Sequence, residues 1–290
     1  MSNQSGKSQP PPSERVVDLY PQVVLEPRTV GIDIIQRAGG PHRALVELVE
    51  RLDRQADHLE EMRDSSCVFA RVLARMHHRL ADSLLRSGWD DPEWVALLAL
   101  QTTELYLEAL GARHAGQPTH SVWASLFEAA QKKQTSVAEE LVLGLSAHFV
   151  HDLPQALVSC GMRNQYGDSR LHDYHAMGDP LGLAIEDIQL DLTRRYESWF
   201  APADHIDESL ARIMSNQGVR VARSCAWYNA ERLLHEQLRP SAQAAIRRWP
   251  LVTLYELLHP PVWSARFATR RVRLLSRWAR SWPGRRVGGR

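Results

Sequence analysis

Apolar residues recur every three or four positions along nearly every segment of this chain, and nowhere do they alternate convincingly with polar ones. The run Leu45, Leu48, Val49, Leu52, Ala56, Leu59 is one example. Leu181, Ile185, Ile188, Leu192, Tyr196 and Trp199 form another. A period near 3.6 places such residues on one stripe of an α-helix, whereas a half-buried strand needs a period of two. The chain is therefore expected to be all-α, an irregular bundle of about eight to ten helices. Punctuation residues divide it. Gly39-Gly40-Pro41 opens one helix, Gly88 closes the next (66–86), and Asp91-Pro92 opens a third running to Gly111. Trp123 and Phe127 anchor a short helix before a central one at 135–159. Asp179-Pro180 begins the next, and further helices are expected over 206–238, 242–258 and 261–282.

The ends differ from this body. Residues 1–14 are rich in Ser, Gln and Pro and read as a disordered tail. Residues 15–40 hold short β-branched runs broken by Pro21 and Pro27, which suggests an extended arm laid on a helical domain of 41–260. The net charge of +1 hides an asymmetry. From Pro261 onward there are nine arginines and no acid, so the first 260 residues carry −8. In 261–282, Trp263, Phe267, Leu274 and Trp278 share one helical face, with arginines on the adjoining arc. A basic amphipathic helix of this kind either docks on the acidic body or lies on an anionic membrane surface, and docking is the expected outcome. Nucleic acid is the least favoured partner, because so short a tail offers phosphate contacts but no reading element.

Three isolated cysteines, Cys67, Cys160 and Cys225, lie within apolar helical patterns without metal-ligand spacing, which suits reduced, buried thiols. No signal peptide opens the sequence and no apolar run is expected to reach the length of a membrane span, so the chain reads as cytoplasmic.

One stretch interrupts the apolar pattern, Gly144-Leu145-Ser146-Ala147-His148-Phe149-Val150-His151-Asp152-Leu153-Pro154-Gln155. On an α-helix His148 and Asp152 stack one turn apart with His151 beside them, so three ligand-capable groups share an arc. Pro154 lacks an N–H and is expected to kink or restart the helix there. His148, Asp152 and His151 are the candidate ligands of a divalent metal such as zinc, iron or manganese. His77, His78, Glu104, Asp168, His172, Asp173, His175 and Asp179 could complete the site. The bland alternative is that Asp152 and Gln155 form a capping box and His148 bonds a freed carbonyl. On the long helix, Arg223, Trp227 and Glu231 share a face, and Arg223 is expected to turn inward against Asp152 or Asp179. Asp152, Asp179 and Arg223 are thus the candidate catalytic groups. A Gly-rich phosphate loop, a Gly-x-Ser-x-Gly elbow, a Cys-x-x-Cys pair and a His-Glu-x-x-His motif are all absent from the sequence.

Several stretches resemble a bacterial all-helical family of unknown function. They are Ser87-Gly88-Trp89-Asp90-Asp91-Pro92, Glu104-Leu105-Tyr106-Leu107-Glu108-Ala109-Leu110 and the Ala-His-x-x-x-Asp-Leu-Pro element at 147–154, followed by Asp173-Tyr174, Asp179, Arg223, Ala226-Trp227 and Leu233. That resemblance implies a helical fold and no particular activity. More distantly, His148-Phe149-Val150-His151-Asp152 is similar to the His-Phe-x-x-Asp run of the zinc-dependent phospholipase C and P1-type nuclease fold, where it supplies two metal ligands. Those enzymes carry a further His where this chain has Val158, so their full trinuclear site is not expected.

Two functions follow as expectations. One is a metal-dependent, hydrolase-like enzyme acting on a small-molecule substrate, with the ion held by His148 and Asp152. The other is a non-catalytic helical binding or scaffold protein whose His/Asp/Arg cluster is a structural polar network.

Overall fold

The structure is a computed structural model that describes residues 28–119, 121–196 and 216–259. The expected tail at 1–14, most of the expected arm and the basic segment 261–290 lie outside the described residues. The helices, in chain order, are α1 (Arg28–Ala38), α2 (Pro41–Glu61), α3 (Ser66–Leu84), α4 (Pro92–His114), α5 (Ser121–Gln131), α6 (Val137–Ser146), α7 (Leu153–Cys160), α8 (Leu171–Ala176), α9 (Gly178–Tyr196), α10 (Asn216–Leu234) and α11 (Arg239–Leu258). A π-helical turn, Ala147–Asp152, joins α6 to α7 without a break, and only Met177 separates α8 from α9. Counting each of those pairs as one, the described residues hold nine helices and no strand, so the fold is the expected all-α bundle.

The stripe read from the sequence is the buried face of α2: Leu45, Leu48, Val49, Leu52, Ala56 and Leu59 are all in the core. Proline in its first turn gives up an N–H that would have had no partner anyway. Helix α3 packs on α2 and, across its other side, on α9. There Arg75 pairs with Asp191 at 3.1 Å and Arg79 with Asp187, two ion pairs that run in opposite directions along antiparallel helices. Helix α4 is almost wholly buried from Trp94 to Tyr106, with Asp91 capping it by accepting from the Trp94 amide at 2.9 Å.

The 28–38 part of the expected extended arm is instead helix α1. Its β-branched residues serve packing rather than strand pairing: Ile35 is buried and Ile32 and Ile34 lie against the core. Gly31 lets this helix approach α4, since a Cβ there would meet the Leu97 side chain.

The central rod starts with a capping box. Ser136 accepts from the Glu139 amide at 3.3 Å, and the Glu139 carboxylate accepts from the Ser136 amide at 2.7 Å. Contrary to the expectation about apolar runs, Glu139–Cys160 is long and apolar enough, by length and composition, to cross a membrane. Here its apolar window is 78% buried among the other helices, which is the environment of a core helix. Two cysteines are buried as expected, but Cys225 is exposed on α10.

Candidate functional site

Pro154 cannot donate to the carbonyl four residues back, and the helix answers not with a kink but with a wider turn. The amide of Leu153 donates to the His148 carbonyl, a five-residue step. Four residues then no longer complete a turn, so His148 and Asp152 are not stacked as they would be on an α-helix. His148 lies edge-on to Phe69 and Phe149, with ring centroids 6.0 and 5.5 Å away. Asp152 is completely buried, and each of its oxygens has a donor: Trp123 Nε1 at 3.0 Å and His151 Nδ1 at 2.7 Å. The capping box with Gln155 does not form. Asp152 makes no cap bond, and Gln155 Nε2 donates to the His151 carbonyl at 2.8 Å.

Burial sets the protonation of the histidines. Desolvation lowers the pKa of His148 to about 3, helped by His77 nearby, and lowers that of His77 to about 4. Desolvation, with the charge of Arg247, lowers His151 to about 3 as well. All three are neutral imidazoles at pH 7. The contact between His151 and Asp152 is therefore a hydrogen bond donated by Nδ1–H rather than an ion pair. His77 shares a hydrogen bond between Nε2 and Thr103 Oγ1 at 2.7 Å, while the Nδ1 atoms of His77 and His148 have no hydrogen-bond partner.

An aromatic cluster backs this region. Phe69 meets Tyr106 edge-on at 4.9 Å, Trp123 lies 5.2 Å from Tyr106, and Phe127 stacks on Trp123 at 5.5 Å. These rings floor a small cleft of about 30 Å³ whose rim includes Ser65, Ser66 and Glu140. Gly144 lets the Phe69 ring reach α6, because a methyl there would lie 2.8 Å from Phe69 Cδ2. Gly144→Ala gains about 1 kcal/mol of helix propensity. It meets an overpacking cost of about 1–3 kcal/mol, because Tyr106, Trp123 and His148 hold the Phe69 ring in place. The expected net effect is a loss of about 1 kcal/mol, read by denaturant unfolding. A variant more stable than the parent would show that the ring can move.

Arg223 turns inward as expected and is buried, but neither aspartate is its partner. It donates to the Tyr174 carbonyl and lies over the Tyr174 ring, 4.1 Å from the centroid. The Tyr174 hydroxyl in turn donates to the Arg223 carbonyl at 2.7 Å. Trp227 stacks beside Tyr174 at 5.0 Å and donates to Glu231 at 3.0 Å. Asp179 is on the surface, 77% exposed, paired with Arg220 at 2.8 Å. Of the remaining candidates, Glu104 pairs with Arg51 at 2.7 Å and His78 lies 3.5 Å from Asp82. Asp168 bonds Asn164, and His175 is exposed. The proposed cluster is thus dispersed, with His148, His151 and Asp152 in the core, Arg223 clasped to Tyr174, and Asp179 in solvent.

A different grouping forms at the start of α4. Asp173 is 1% exposed, and its two oxygens accept from the amides of Asp90 at 2.9 Å and Asp91 at 2.7 Å. Arg170 donates to Asp91 at 2.7 Å and to the carbonyls of Gly161 and Arg163, which ties the 161–170 loop to the same helix end. Asp90, His172 and Asp173 offer ligand atoms that all lie within 4.8 Å of one another, the one such trio of His, Cys, Asp or Glu among the described residues. The sequence named His172 and Asp173, but as partners for His148. Asp90 was visible only as part of the Ser87–Pro92 stretch.

Set against known proteins, residues 45–253 match the model of a family of unknown function (DUF5995). No curated protein and no solved structure matches the chain.

Proposed function

The chain belongs to that family of unknown function, and from this premise we propose that it is a non-catalytic helical binding or scaffold protein in which His148, His151, Asp152 and Arg223 are the polar framework of the core. The observation that carries this reading is the state of Asp152: fully buried, with both oxygens already committed to Trp123 and His151. A metal ligand or general base needs a lone pair facing a reactant, and buried polar groups satisfied in this way specify a core. The free cysteines accord with a cytoplasmic location, which belongs to the same proposal.

One observation favours the metal-dependent hydrolase instead, the unpartnered Nδ1 atoms of the neutral His77 and His148. Metal analysis of untagged protein, parent against His148→Ala, separates the two. The scaffold reading expects the variant to be less stable and its metal content unchanged. Stoichiometric zinc, iron or manganese that disappears with His148→Ala in a still folded protein would establish the hydrolase site and end the scaffold reading. Partner contact through 261–290 is tested by liposome flotation. Docking on the body predicts no flotation with anionic vesicles, and flotation lost on deleting 261–290 would instead make that segment a membrane contact.

A further inference from the structure

We propose that Asp90, His172 and Asp173 form a binding site for one divalent cation of the zinc class, separate from the core polar framework. Three features support it. The ligand atoms, one imidazole nitrogen and two carboxylate oxygens, lie within 4.8 Å of one another although Asp90 and Asp173 are 83 residues apart in the chain. An ion held at about 2.0–2.2 Å from each ligand brings such atoms to about 3.5 Å apart. Closing the difference takes only rotation of Asp90 and His172, both of which are exposed.

The second feature is the placement of Asp173. Amides of Asp90 and Asp91 hold its carboxylate in one orientation, and a carboxylate accepting two hydrogen bonds keeps further lone pairs for a cation. One ligand is therefore preset by the fold, and the other two stand on its solvent side.

The third feature is independent of the grouping and concerns charge. Asp90, Asp91 and Asp173 converge on the start of α4, and the one cation placed there, Arg170, is taken by Asp91 through both Nε and Nη2. Among the described residues neither Asp90 nor Asp173 has an ion-pair partner, although Asp173 is 99% buried. A buried carboxylate without a counter-charge is costly, and a divalent ion balances two of them at once. Mixed nitrogen and oxygen donors without thiolate suit zinc or manganese. They do not suit calcium and magnesium, which favour all-oxygen shells, or the soft ions that need sulfur. The exposed side leaves the remaining coordination positions to water. The bound ion would staple α8 to the start of α4.

The test is calorimetric titration of Zn²⁺ into untagged, chelator-stripped full-length protein. The parent, His172→Ala, Asp90→Asn and, as a control, His78→Ala are compared, each checked for helicity by circular dichroism. Both site variants alter exposed side chains and leave the buried Asp173 in place. The expected result is one equivalent of zinc with a rise in Tm, weakened at least tenfold in His172→Ala and in Asp90→Asn and unchanged in His78→Ala. Absence of saturable binding to the parent would overturn the proposal, as would binding that His172→Ala and Asp90→Asn leave untouched. Zinc lost in His148→Ala but kept in His172→Ala would count against this site and against the scaffold reading together. Zinc lost only in the site variants supports this site and leaves that reading standing.

Discussion

Lowering the pH from 7.5 to 5 is expected to remove about 6 kcal/mol of folding stability from this protein. His77, His148 and His151 are buried with their pKa values lowered to about 4, 3 and 3, while in the unfolded chain each returns to 6.5. Below pH 6.5 the unfolded state therefore takes up protons that the folded state refuses. The stability these groups support is fully present above 6.5 and is lost as the pH falls from there toward 3–4. At pH 5 each histidine lies 1.5 units below its unfolded value, worth about 2 kcal/mol at about 1.36 kcal/mol per unit, and three of them give the total. Most carboxylates titrate below this window, so the interval between pH 6.5 and 5 isolates the histidines. Guanidinium unfolding across that interval should show a stability slope approaching three protons, and His148→Leu should reduce it by one. A flat profile would mean that the imidazoles are protonated in the folded protein.

Asp152→Ala should cost about 3–5 kcal/mol. The substitution leaves two fully buried donors, Trp123 Nε1 and His151 Nδ1, without an acceptor, and each such orphan costs about 1–3 kcal/mol. Some packing is lost as well. In a chain of this size a Tm fall on the order of 10 °C follows. Asp152→Asn retains one acceptor oxygen and should cost markedly less. If Asp152→Ala lowers stability by under 1 kcal/mol, the polar network is not what holds this part of the core together, and the scaffold reading loses its main support.

The bundle was legible because burial leaves a periodic trace. The α2 stripe from Leu45 to Leu59 is buried residue for residue, and the Gly-Pro and Asp-Pro pairs at 40–41 and 91–92 mark real helix starts. Two elements were not legible. Helix α1 is rich in β-branched residues that resemble a strand until their packing against the core is seen. Helix α8 spans only six residues of mostly polar character, too short for a period to show. Within the candidate site, the sequence located the polar interruption of the central rod but not its partners. Trp123 reaches Asp152 from 29 residues earlier, and Tyr174 reaches Arg223 from 49 residues earlier, distances over which spacing carries no information. Asp179 was misplaced because an acidic residue in the first turn of a helix is ordinary and needs no buried partner.

The π turn at Ala147–Asp152 sets the angular phase between the two halves of the central rod. Deleting one residue there would let the helix return to ordinary four-residue hydrogen bonding. Everything after the turn would then rotate by about 100° and slide by about 1.5 Å. Ala156, Leu157 and Cys160, now buried where α7 meets α4 and α10, would swing away from that seam. The turn can therefore accept a change of side chain far more readily than a change of length. For this chain the residue count between Gly144 and Pro154 is itself a structural determinant.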